Sequence, residues 1–180
     1  DVTPALDGTI LLPNKLKFVN FDDRWTKQLS VRREILDAKI ARYLPVSACK
    51  DVDIFHTPYY RVPFDKVKKY VVTVHDFTYE RFRHGLGRFI HSRQKLSSLL
   101  RADAVICISE ATRRDVIEYC PKLDIAKLHV VYHGVDNRVF YPDLGKAVDV
   151  GTNMVLFVGQ RLKYKRFDLA VEAVRQSPRL

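Results

Sequence analysis

Five short runs of the chain are apolar almost without interruption: DIFHT (53–57), YVVTVH (70–75), DAVICIS (103–109), LHVVYH (128–133) and MVLFVG (154–159). They are rich in β-branched residues and do not alternate with polar ones. That pattern predicts parallel strands covered on both faces. KLKFV (15–19) is a further candidate strand. Between the runs, apolar positions recur at helical spacing. Residues 31–44 place Val31, Ile35, Leu36, Ile40, Tyr43 and Leu44 on one stripe. Residues 88–101 do the same with Phe89, Ile90, Leu96, Leu99 and Leu100, set against Arg88, Arg93, Lys95 and Arg101. SEATRRDVIEY (109–119) follows its strand directly, with Ser109 in the position of an N-cap. Phe167, Ala170, Val171 and Val174 give a last helix its core face, and Asp168 suits its first turn. Strands alternating with helices predict an α/β fold built on a doubly wound parallel sheet.

The stretch 136–153 breaks this rhythm. It has no clear period, carries Pro142, Gly145 and Gly151, and reads as a linker. The predicted organisation is a first domain over 1–135, a linker over 136–153, and the opening βα unit of a second domain over 154–180. One βα unit cannot bury its own apolar faces, so the chain is expected to be a piece of a two-domain protein.

Charge narrows the partners without choosing one. The chain of 180 residues has a formal net charge of +10. Nucleic acid, an anionic membrane surface and a phosphorylated substrate all fit that sign. No stretch of 18 apolar residues could span a bilayer, and no charged, then apolar, leader opens the sequence. Cys49, Cys107 and Cys120 show no metal-like spacing and suit reduced thiols, with Cys107 a small core residue.

Ligands of doubly wound sheets bind beyond the carboxyl ends of the strands. Here those ends are His56-Thr57, His75-Asp76, Ser109-Glu110, His133-Gly134 and Gly159-Gln160-Arg161. Each can be read as an ordinary polar exit, and Ser109 as a helix cap alone. Three histidines at three strand ends together favour a site. His75 can exchange a hydrogen bond with a sugar hydroxyl, while Asp76 either fixes its tautomer or caps the next turn. Arg161, Lys163, Lys165 and Arg166 fill the loop between the last strand and the last helix. Arg161 and Lys165 lead into a helix N-terminus, where free amides already attract anions. A diphosphate suits them, with Gly159 allowing the tight exit from the strand. Lys163 and Arg166 read equally well as a solvated basic loop. Neither GxxxxGK[ST] nor GxGxxG is present, which disfavours a nicotinamide enzyme, and no HxxxH or HxH supports a metal.

In order, DIFHTPYYRVP, VVTVHDFTYE, the HSRQK helix, ADAVICISEATRRDV, LHVVYHGVD..VFYP and VLFVGQRLKYKRFDLAVEAV resemble the retaining nucleotide-sugar glycosyltransferases of family 4. The resemblance covers residues 52–175 and points to the bacterial polysaccharide or lipopolysaccharide type. It implies a GT-B fold of two facing Rossmann-like domains, and a nucleotide-diphosphate-sugar donor with a glycan or lipid-linked acceptor. It further implies transfer through an oxocarbenium-like transition state with no metal or other cofactor. Arg161 and Lys165 would contact the donor diphosphate across the interdomain cleft. His75 would sit by the donor sugar, and Ser109 and Glu110 by the cleft. Two positions depart from the family pattern: His133 stands where Asn is more usual, and Arg166 where Gly or Asn is common. The glycine-rich loop expected in 1–50 is not recognisable, and a paired-glutamate motif would fall after Leu180. The 180-residue piece is therefore expected to be inactive by itself.

Two surfaces stay open at this level. The basic helix 88–101, with Arg81, Arg83 and Lys66 to Lys69, either attracts the cytoplasmic face of the inner membrane or packs its stripe on the sheet. A non-catalytic nucleic-acid or polyanion binder is the other class, against which stands the scatter of the cations.

Overall fold

KYVVTV becomes a strand because its apolar residues find a ladder partner on each edge and packed helices over the sheet. In the computed structural model, residues 8–12, 29–33, 37–47, 52–141, 155–161 and 163–177 are described. Numbered along the chain, the elements begin with β1 (Gly8–Leu12), β2 (Leu29–Arg33) and α1 (Ala38–Ala41). Then come β3 (Ile54–Thr57), β4 (Lys69–Val74), α2 (Thr78–Phe82), α3 (Leu86–Arg101), β5 (Ala104–Cys107), α4 (Glu110–Tyr119) and β6 (Leu128–Val130). The last is α5 (Phe167–Gln176). Short 3-10 turns precede β6 (Ile125–Lys127) and α5 (Lys163–Lys165).

β3, β4, β5 and β6 lie side by side in that order, all parallel. The fold is thus the expected α/β, Rossmann-like arrangement. β1 and β2 form a separate parallel pair. The core gathers Tyr70, Val72 and Val74 of β4, Val105 and Cys107 of β5, and Leu99, Ala102 and Val116 from the helices. Full burial of such side chains contributes about 1.5–3 kcal/mol each. Cys107 is wholly buried, as expected, and burial pushes its thiol up to about 11.

Three expectations change. The helix read over 31–44 is replaced by β2 and the four-residue α1, because Leu29–Arg33 pairs residue for residue with Gly8–Leu12. Ile40, Tyr43 and Leu44 of the supposed stripe are exposed. In α3 the buried residues are His91, Lys95, Ser98 and Leu99, whereas Phe89, Ile90 and Leu100 face water. The run 155–158 carries no ladder-paired strand, and a strand exists only where a neighbour takes its hydrogen bonds. The candidate strand 15–19 and Cys49 lie outside the described residues.

By contacts the chain divides into two units, Asp1–Tyr132 and His133–Leu180. The first holds both sheets. In the second, α5 begins after a 3-10 turn, Phe157 meets Phe167 edge-on at 4.9 Å, and no residue of α5 is buried. The expected linker falls in this second unit, and its described part, 136–141, is exposed. No helix among the described residues is long and apolar enough to cross a membrane.

Candidate functional site

Register levels the strand ends. Val74 pairs with Cys107, and Cys107 with Val130, so β4, β5 and β6 finish together. The chain then turns immediately into the polar residues expected there. Ser109 is the N-cap of α4, its Oγ accepting the Thr112 N–H at 3.1 Å. Thr112 Oγ1 donates to the His75 carbonyl at 3.3 Å, which directs the Ser109 hydroxyl proton to Thr112 Oγ1 at 3.1 Å. Ser109 is thereby occupied as donor and acceptor, and its contribution is to fix α4 against the end of β4. Glu110 opens α4, exposed, 3.8 Å from Arg113.

His75 is half-buried, and its backbone also bonds the Tyr60 hydroxyl. Asp76 shows the second of its two expected roles: Oδ1 accepts the Thr78 N–H at 2.9 Å and turns the chain into α2. His56 is diverted. Its Nε2 lies 2.7 Å from Thr73 Oγ1 on the neighbouring strand, and burial lowers its pKa, so the ring is neutral near pH 7. His133 and Gly134 lie beyond β6 in an exposed segment of the second unit.

Beneath the His75-Asp76 turn lies a buried polar cluster that the apolar periodicity did not reveal. Lys95 Nζ donates to Glu80 Oε2 at 2.7 Å and to the Asp76 carbonyl at 2.9 Å. Ser92 Oγ donates to Glu80 Oε1 at 2.9 Å. Burial alone would raise the Glu80 pKa. The groups from His91, Lys95 and Ser92 outweigh it and hold the carboxyl at about 2. Burial pulls Lys95 down while Glu80 pulls it back up. Lys95 also stands 4.2 Å from the Phe77 ring centre and 5.2 Å from that of Tyr60. His91 stacks on Tyr79 at 3.9 Å, with its Nδ1 3.9 Å from Glu80 Oε1, beyond hydrogen-bonding reach. The signal was available in HSRQKLSS (91–98): His91, Lys95 and Ser98 recur at i, i+4 and i+7, a polar stripe at helical spacing.

In the second unit, Gly159 has φ +135°, where a side chain would be strained. The Arg161 guanidinium lies 4.5 Å from the Phe167 ring centre, and Lys165 Nζ lies 5.2 Å from that of Tyr164. Neither has a carboxylate partner among the described residues. Arg166 differs: its Nε is 3.3 Å from Asp168 and its backbone is left-handed at φ 51°. That conformation is why Gly or Asn suits position 166.

Four parallel strands in one sheet with flanking helices define the Rossmann-like α/β class. The profile described as Glycosyltransferase Family 4 matches residues 13–139, and the chain belongs to that family. It is 35% identical over 92 residues to the alpha-maltose-1-phosphate synthase of Mycolicibacterium smegmatis, a match spanning 45% of this chain and 23% of that protein. It is 29% identical over 111 residues to the synthase of the same name from Mycobacterium tuberculosis, covering 53% and 28% respectively. The chain spans about a quarter of the length of these curated relatives.

Proposed function

We propose that the protein transfers a sugar from a nucleotide-diphosphate-sugar donor to a glycan or lipid-linked acceptor with retention at the anomeric carbon. Family membership over residues 13–139 is the observation that carries this reading. Relatives named as synthases of a phosphorylated sugar add support for transfer chemistry.

In this mechanism the bond between the donor sugar and its diphosphate breaks through an oxocarbenium-like state. The departing phosphate oxygen takes the proton of the incoming acceptor hydroxyl. Arg161 and Lys165 neutralise the charge that grows on that phosphate, so no metal is required. A guanidinium grips phosphate oxygens in pairs, and Lys165 adds a point charge. Their aromatic platforms restrict both side chains without consuming their charge. His75 serves the sugar, with Asp76 shaping the turn that presents it.

The test is an assay of nucleoside diphosphate release by the protein as its gene encodes it, across a panel of nucleotide sugars and acceptors, with chelator present. Turnover with an unchanged anomeric configuration is expected. Arg161→Ala or Lys165→Ala should each lower kcat by roughly 10²–10³. An absolute need for a divalent cation, or an inverted product, would overturn the mechanism.

A further inference from the structure

The exit from β4 is fastened by side chains drawn from three places in the chain. The Tyr60 hydroxyl, from the loop after β3, bonds the His75 backbone. Thr112 Oγ1, from α4, donates to the His75 carbonyl at 3.3 Å. Lys95 Nζ, from α3, donates to the Asp76 carbonyl at 2.9 Å. Ladder pairing with β5 ends at Val74, so these bonds hold a stretch that the sheet no longer holds.

Two parts of this fastening are costly. Tyr60 has a left-handed backbone at φ 58°, a conformation that a residue with a bulky side chain adopts only where its surroundings impose it. Those surroundings are Lys95, whose Nζ lies 5.2 Å from the Tyr60 ring centre, and His91, which meets that ring edge-on at 5.8 Å. The Glu80–Lys95 pair is costly in another way. Both side chains are almost fully buried, and an apolar pair of the same volume would serve the core at least as well. What an apolar pair could not do is donate to the Asp76 carbonyl. Glu80 favours the charged ammonium and takes one of its protons, while the carbonyl takes another. Tyr60, Glu80 and Lys95 are only 4%, 7% and 1% exposed, so their effect on a ligand must pass through the groups they hold. Backbone strain and locked side chains of this kind gather where a site needs one fixed geometry.

We infer that Tyr60 and the Glu80–Lys95 pair are positioning residues for sugar transfer: they fix the backbone of His75 and Asp76, and through it the imidazole, an assignment that rests on His75 serving the donor sugar.

The experiment measures diphosphate release by the protein as its gene encodes it, with a nucleotide sugar that the parent turns over. Tyr60→Phe removes one hydroxyl. Glu80→Gln/Lys95→Met removes both charges together, so that neither is left buried alone. Each variant should lower kcat roughly tenfold to a hundredfold, the scale of a misplaced reacting group, with donor KM within about threefold of the parent. His75→Ala identifies the His75 ring signal in NMR spectra of histidine-labelled protein, and that signal should move in both variants. Circular dichroism melts confirm that each is folded at the assay temperature; if the paired variant is not, Tyr60→Phe alone decides. A parent-like kcat in either folded variant, a loss confined to KM, or an unmoved His75 signal overturns the positioning role and leaves transfer intact. A His75→Ala protein as active as the parent removes the role of His75 and this one with it. A parent that releases no diphosphate from any nucleotide sugar removes the transfer reading itself, and the positioning role falls with it.

Discussion

Lys95 is 1% exposed, an unusual position for an ammonium group, and it is tolerable only because each of its contacts is polar or aromatic. Removing one partner strands the other. Lys95→Met should therefore cost about 3–5 kcal/mol in urea unfolding, by leaving Glu80 charged and buried. Adding Glu80→Gln should recover a substantial part of that loss. The pH dependence has a definite sign. The Glu80 carboxyl titrates at about 2 in the fold against an ordinary 4.5, so its stabilisation is complete above 4.5 and disappears as pH falls toward 2. The change is on the order of 3 kcal/mol. Unfolding measured at pH 6, 3.5 and 2 should show this slope in the parent and a flatter one in Glu80→Gln.

Among the elements, α4 shows how far local rules reach. A serine after a buried strand, followed by a helical run, specified its cap and start, and Ser109→Ala should cost about 1 kcal/mol in thermal or urea unfolding. A larger loss in turnover than in stability would instead indicate that Ser109 touches substrate. The four paired strands of the main sheet were legible because parallel strands have a distinctive unbroken hydrophobicity, although three of them leave the ladder before their apolar runs end. α1 and β2 were not legible, since five residues of strand plus one helical turn imitate a 3.6-residue period over a short window. α3 was legible as a helix but not in rotation. An apolar stripe says which residues share a face, whereas the buried partners Glu80, Tyr70 and the Asp76 carbonyl decide which face turns inward.

At the scale of the molecule, the two units differ in kind. The first has a core of its own. The second carries Leu156 and Val158 exposed ahead of a helix with no buried residue. The polar strand ends and, separately, the cationic loop were legible as residues. What sequence did not give was the division of labour: His56 bonded to Thr73, Ser109 spent on its cap, and Arg166 tied to Asp168 while Arg161 and Lys165 stay available. Such choices depend on contacts distant in sequence. The 180-residue chain alone is expected to show no turnover with nucleotide sugars, checked by the same diphosphate-release assay.

Lys95 and Leu86 sit on one helix, and a helix of 16 residues transmits displacement along a rod instead of absorbing it. Its inner side is fastened to the carbonyl that follows His75. The position of α3 and the shape of that turn are therefore tied through one hydrogen bond, from Lys95 Nζ to the Asp76 carbonyl. Amide hydrogen exchange at residues 75–78 should quicken in Lys95→Met, which releases that carbonyl.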